Sequence, residues 1–138
     1  MNVDRAGVGV GKADRNVKSS RIAAVVLAFI GVALAAYVEF GSPRAADVER
    51  SFGWFAYEAG PWVVLGVLAL LSPFARALAA VAIVMLAVEL FAYARVFVAP
   101  DGFENAIIYY YKPFYDMAVI AAGVLAGFLL GKTAARRR

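Results

Sequence analysis

The sequence contains no cysteine and no histidine. Their absence excludes disulfide staples, thiolate nucleophiles, haem ligation by imidazole and most transition-metal sites. Acid–base or ionic chemistry is therefore left to carboxylates, lysine, arginine and tyrosine. We predict neither a metal site nor a bound cofactor.

Charged residues are also scarce, at 17% of the 138-residue chain, whereas hydrophobic residues make up 64%. An ordinary soluble domain has about 25% charged and about 45 to 50% apolar residues. The net charge of +4 does not indicate nucleic-acid binding, because the positive residues gather near the two ends of the chain, beside apolar runs. The composition is typical of one compact membrane domain.

Four long apolar runs are present, and about 20 such residues cross the ~30 Å hydrocarbon layer of a bilayer. The sequence therefore predicts an all-α fold, an integral membrane four-helix bundle with one transmembrane domain over residues 21–132. We expect a flexible cytoplasmic tail over residues 1–20 and a basic cytoplasmic tail over residues 133–138. The predicted spans are 22–40, 53–71, 75–98 and 106–131.

The distribution of lysine and arginine predicts the orientation of these spans. Basic residues lie in the N-terminal tail, at Arg76 between the second and third runs, and at the C-terminus. The positive-inside rule then places both termini in the cytoplasm. The expected location is the cell membrane, which in a bacterium is the inner membrane. Ala33 and Ala35 resemble a signal-peptide cleavage site, but the first run is longer than the usual ~7 to 15 residue signal core, so we expect an uncleaved span.

Small residues recur at helical spacing in the first and last spans. Gly31 and Ala35 belong to such a face in the first span, and Gly123, Gly127 and Gly131 follow at intervals of four in the last. Small residues let neighbouring helices approach closely in membranes. We therefore predict that these five positions lie at helix contacts.

Ionisable side chains inside the spans are the main candidates for function. Each costs at least about 2.5 to 3.5 kcal/mol near the bilayer centre, so it is retained where a partner or a role offsets that cost. At ~1.5 Å per residue, the carboxylates of the four predicted helices all lie about 20 to 27 Å above the cytoplasmic end. The candidates for binding an ion, a proton or a substrate are Glu89, Asp116, Glu58, Glu39, Arg95, Lys112 and Tyr93.

Glu89 lies deeper in its predicted span than Glu39 and Glu58 do in theirs. We predict that it faces the bundle interior, where it either holds a proton or pairs with a basic residue of another helix. Lys112 is the expected partner, because Arg95 lies six residues from Glu89 and points to a different face. Tyr93, one turn on, is a candidate hydrogen-bond donor to the carboxylate.

Structural explanations compete for the other candidates. Glu39 and Glu58 lie near span ends, where a solvated position at the outer interface is the simpler interpretation. Asp116 follows Pro113 near a helix start, where the helix dipole stabilises a negative charge. Aromatic residues near span ends usually form the membrane-interface belt.

The sequence contains no complete catalytic motif, and we predict no catalytic residue. The glycine-rich run over residues 7–12 lacks the spacing of a phosphate-binding loop, and no nucleophile–base pair is visible. Size and layout are similar to those of small multidrug transporters, phage holins and accessory subunits of membrane complexes, although no motif supports any one of them.

Two functions are compatible with these features. The first is an accessory or assembly subunit of a larger membrane complex, which contacts lipid and another membrane protein or further copies of itself, but not nucleic acid. The alternative is a small proton- or cation-coupled transporter that uses membrane-embedded carboxylates.

Overall fold

The computed structural model describes residues 6–41, 52–95 and 104–136. These ranges contain four α-helices and no strand. Helix α1 is Ala6–Ala36 and continues into a π-helical segment, Tyr37–Gly41. It is followed by α2, Phe52–Leu71, by α3, Ala75–Tyr93, and by α4, Glu104–Arg136.

Each helix contains a segment long and apolar enough to cross a membrane. These segments are Asp14–Gly41, Phe52–Leu71, Ala75–Tyr93 and Tyr110–Thr133. The predicted all-helical fold with four candidate spans is confirmed.

The structure differs from the predictions at the helix ends. Helix α1 begins at Ala6, so most of the segment expected to be a flexible tail is helical. Once a helix has nucleated, each added residue gains a backbone hydrogen bond, and no proline stops α1 from extending beyond its apolar part. Helix α3 ends at Tyr93, and residues 94–95 follow it in a π-helical conformation. Residues 96–98 of the predicted span lie outside the described residues. Helix α4 continues to Arg136, into the segment expected to be a basic tail.

A three-residue connection joins α2 to α3. The Ser72 amide donates to the Leu68 carbonyl at 2.8 Å, and the Phe74 amide donates to the Ser72 hydroxyl oxygen at 3.0 Å. Pro73 cannot continue the hydrogen bonding of α2, so the chain reverses here. The two helices form an antiparallel hairpin, and α1 packs against both of them, whereas α4 packs against α3 and α2.

The buried core is built from small side chains on α1 and larger ones on α2 and α3. Ala24, Ala28 and Ala35 are buried along one face of α1, which allows close approach to the hairpin. Large apolar side chains cover much of the outer surface, including Phe29 and Leu71, whose exposed fractions are 78% and 79%. Such an exterior suits contact with acyl chains.

Candidate functional site

A buried lysine lies among three buried carboxylates in this bundle. Lys112 of α4 is only 2% exposed. Its Nζ lies 2.5 Å from Glu89 Oε2, 2.8 Å from Asp116 Oδ2 and 3.5 Å from Glu58 Oε2. We call these four residues the charge cluster.

The hairpin and the start of α4 explain how the cluster forms. Because α2 and α3 are antiparallel, Glu58 near the beginning of α2 and Glu89 near the end of α3 lie at the same level of the bundle. The candidate membrane span of α4 begins at this level, and Asp116 follows Lys112 by four residues, on the same helix face. Three helices therefore each supply a carboxylate to one site.

Trp62 connects the charge cluster to the packing of α1. Its Nε1 donates to Glu89 Oε2 at 3.4 Å, and the whole side chain is buried. The ring lies against Gly31 of α1, where any Cβ would overlap it. The sequence pattern did not predict this role, because aromatic residues near span ends usually form the interface belt. Two features indicate that Trp62 belongs to this site: it lies one helical turn after Glu58, and a buried indole N–H usually needs a hydrogen-bond acceptor.

The cluster contains more carboxylates than cations. If all four groups are ionised, three negative charges face one positive charge, which leaves a net charge of −2 in a buried site. Glu58 Oε1 and Glu89 Oε1 are buried and have no hydrogen-bond partner among the described residues. Buried charge without compensation costs several kcal/mol per ion. The arrangement therefore favours uptake of protons or of a further cation.

Two predictions about Glu89 are confirmed. Its side chain is buried, at 2% exposure, and Lys112 is its ionic partner. The expected hydrogen bond from Tyr93 is replaced by the one from Trp62, whereas the Tyr93 ring packs against Tyr37 with centroids 6.5 Å apart.

The structure places some of the remaining candidates in the charge cluster and others outside it. Glu58 and Asp116 are buried in the cluster rather than placed at a solvated interface or a helix terminus. Glu39 is half-buried in the π-helical segment, where Val38 takes the buried position instead. Arg95 is exposed and lies over the Phe91 ring, 5.9 Å from its centroid. Neither Glu39 nor Arg95 is among the ionic contacts of the cluster.

A cavity of about 140 Å³ adjoins Glu89 between the end of α1 and the end of α3. Its lining residues are Leu34, Tyr37, Val38, Glu89, Leu90 and Tyr93. A bulk water occupies about 30 Å³, so this space is large enough for several waters or one small ligand. One carboxylate of the cluster, that of Glu89, thus lies in the wall of this cavity.

Aromatic rings pack beside the cluster on α2 and α4. Tyr57, next to Glu58, donates a hydrogen bond to the Tyr110 carbonyl at 2.8 Å. Its ring centroid lies 5.3 Å from that of Trp54 and 6.0 Å from that of Phe114. Such faces attract organic cations.

The predicted packing glycines fall into two groups. A Cβ at Gly123 would overlap Val81, and one at Gly127 would lie 2.9 Å from Phe74, so both positions are closely packed. Gly131 is exposed, with Phe74 in ordinary contact distance at 3.8 Å. In the first span Ala35 is buried. Four of the five positions, including Gly31, thus serve contacts inside the bundle.

In the described part of the chain, no group of three acidic side chains is arranged to hold a metal ion. The Lys112 ammonium lies between the three carboxylates of the cluster. The chain matches no family model, and no curated protein or solved structure shows significant similarity to it.

Proposed function

We propose that this chain is an integral protein of the cell membrane that moves protons in exchange for an organic cation. The charge cluster carries the proposal: three buried carboxylates from three helices share one lysine. Ionisable residues within membrane spans commonly mark proton relays and ion pathways.

The surplus of carboxylates favours the binding of protons or cations to the cluster. A proton on Glu58 or Glu89, or a cation near their unpartnered oxygens, lowers the uncompensated charge of the site. Protons and cations therefore compete for the same oxygens. The cavity beside Glu89 has room for waters that would bring protons to it.

Lys112 couples the occupancy of the site to helix packing. Its ammonium contacts Glu58 of α2 and Glu89 of α3 as well as Asp116 of its own helix, so neutralising Glu58 or Glu89 weakens one interhelical attraction and leaves the other. A change in these relative attractions is a means by which the helices would shift between two arrangements. Transport requires two such states that differ in their affinity for the ligand.

The transport test uses purified protein in liposomes that contain a pH-sensitive dye. Ethidium, a planar organic cation, is the probe, because the aromatic rings beside the cluster suit such a ligand. We expect an imposed ethidium gradient to drive proton movement in the opposite direction. Glu89→Gln should abolish this coupled flux, whereas Arg76→Gln, an exposed charge change on the same helix, should retain it. Flux that is unchanged in Glu89→Gln would refute the proposal.

We also propose that both termini lie in the cytoplasm, in agreement with the basic residues there. The absence of native cysteine makes the test clean, because an introduced cysteine is the one reactive thiol in the chain. Gly102→Cys should react with an impermeant thiol reagent added outside intact cells, and Arg138→Cys should react after permeabilisation. The opposite pattern would reverse the orientation.

An accessory role in a larger complex is the second candidate, and the exposed face of α4 favours it. Leu125, Leu129 and Leu130 are 58%, 53% and 68% exposed beyond the cluster. Purification in a mild detergent should then recover a second membrane protein in fixed proportion, and Leu129→Ala/Leu130→Ala should lose it. Recovery of the chain alone, with transport activity, would decide in favour of the first proposal.

A further inference from the structure

A second site lies at the other end of the bundle, away from the charge cluster. A surface groove of about 550 Å³ has a polar wall formed by Asp14, Lys18 and Arg21, and an apolar wall that includes Val25 and Leu70. Val25 and Leu70 also line a second groove of about 320 Å³, which continues between α1 and α2 toward Trp62. The two grooves therefore adjoin at these two residues, and we call the pair, with its charged head and apolar body, the channel.

Arg21 fixes the position of the charged head. Its Nη2 donates to the Ser72 carbonyl at 3.3 Å, so it lies at the turn between α2 and α3, where the apolar spans end. The Arg21 Nε is buried and has no hydrogen-bond partner among the described residues. Arg21 also lines the groove at the junction of its polar and apolar walls, where its guanidinium would stabilise an anionic group.

The charges along α1 have a definite order. Arg21 is nearest to the apolar groove, Lys18 lies about one turn further out, and Asp14 lies one more turn beyond it. A ligand that fits this order has an apolar chain, then an anionic group, then a cationic group. Phosphatidylethanolamine has this arrangement: acyl chains, a phosphate and a terminal primary ammonium.

We infer that this channel binds phosphatidylethanolamine, with the phosphate at Arg21 and Lys18, the ammonium at Asp14 and one acyl chain in the groove between α1 and α2. Other phospholipids fit less well. Phosphatidylglycerol has no ammonium to pair with the Asp14 carboxylate and offers it only neutral hydroxyls. The quaternary ammonium of phosphatidylcholine has no N–H with which to form a hydrogen bond. The inference depends on membrane insertion, but not on transport by the charge cluster.

The test measures lipid binding to the full chain. Protein in detergent is mixed with each phospholipid, all with the same acyl chains, and bound lipid is counted by native mass spectrometry. We expect phosphatidylethanolamine to bind about tenfold more tightly than phosphatidylcholine, as one charge-assisted hydrogen bond provides. It should also bind more tightly than phosphatidylglycerol.

Matched variants assign the contacts. Asp14→Asn should remove the preference over phosphatidylcholine, while Lys18→Gln should weaken binding of all three lipids. Both positions are exposed, so folding is retained, and circular dichroism verifies it. Arg76→Gln, which removes a positive charge outside the groove, should leave binding unchanged. Equal or tighter binding of phosphatidylglycerol, or a preference that survives in Asp14→Asn, would overturn the assignment.

Discussion

Replacing Lys112 by methionine tests how much its ammonium stabilises the charge cluster. Methionine has nearly the same length and flexibility but no charge, so Lys112→Met removes the ammonium without leaving a large cavity. Glu89, Asp116 and Glu58 then lose their shared partner at 2.5, 2.8 and 3.5 Å. If all remained ionised, the charge of the site would change from −2 to −3.

The expected loss is large because the site is buried. Removing one partner of a buried ion pair costs about 3 to 5 kcal/mol, since the remaining charge stays buried without compensation. The four side chains are at most 4% exposed, so solvent screening reduces this cost little. We expect the free energy of unfolding of Lys112→Met to fall by about that amount at neutral pH.

Reversible unfolding is monitored by circular dichroism in mixed micelles that contain an increasing fraction of a denaturing detergent. The matched control is Lys132→Met, the same change at an exposed lysine of α4 that lies 4.3 Å from the Phe128 ring centroid. An exposed cation–π contact contributes about 0.5 to 1 kcal/mol, so this control should change little.

The loss of stability in Lys112→Met should depend on pH. Protonation neutralises carboxylates, so the destabilisation of Lys112→Met relative to wild type should shrink as the pH falls. Equal stability of Lys112→Met and wild type at neutral pH would refute the reasoning, as would a deficit that does not change with pH.

Two further predictions concern the contact between α1 and the cluster. Gly31→Ala should lower the free energy of unfolding by about 1 to 3 kcal/mol in the same assay, because its Cβ would overlap the Trp62 ring. Gly66→Ala, which meets only the Ala28 Cβ at 3.4 Å, is the matched control and should be neutral or stabilising. Trp62→Phe keeps an aromatic ring but removes the N–H that donates to Glu89 and part of the buried indole volume. It should reduce coupled proton flux with a loss of stability of about 1 to 3 kcal/mol. Unchanged flux in Trp62→Phe would show that this hydrogen bond does not position the carboxylate.

The sequence predicted those features of the fold that depend on local pattern. Apolar runs of about 20 residues identify candidate spans, and the short connection at Pro73 predicts an antiparallel pair. The pairing of Glu89 with Lys112 was also predictable, because a buried carboxylate needs a cation and the next helix enters at the same level.

What the sequence did not reveal depends on the rotation of each helix about its axis. Spacing shows that Asp116 and Lys112 share a face of α4, but not which neighbour that face meets. Glu58 was assigned to the solvated interface because its distance from the span end was known only to within a turn or so. In the structure it is 3% exposed, since α2 turns it toward Lys112.

The central claim, that protons and cations compete for the charge cluster, is tested most directly by proton release on cation binding. Ethidium is added to purified protein in weakly buffered detergent solution, and the protons released for each ethidium bound are counted with a pH indicator dye. We predict that the wild-type chain releases protons and that release is lost in Glu89→Gln and in Asp116→Asn, but retained in Arg76→Gln. Binding of ethidium without any proton release, or release that is equal in all four proteins, would contradict the claim.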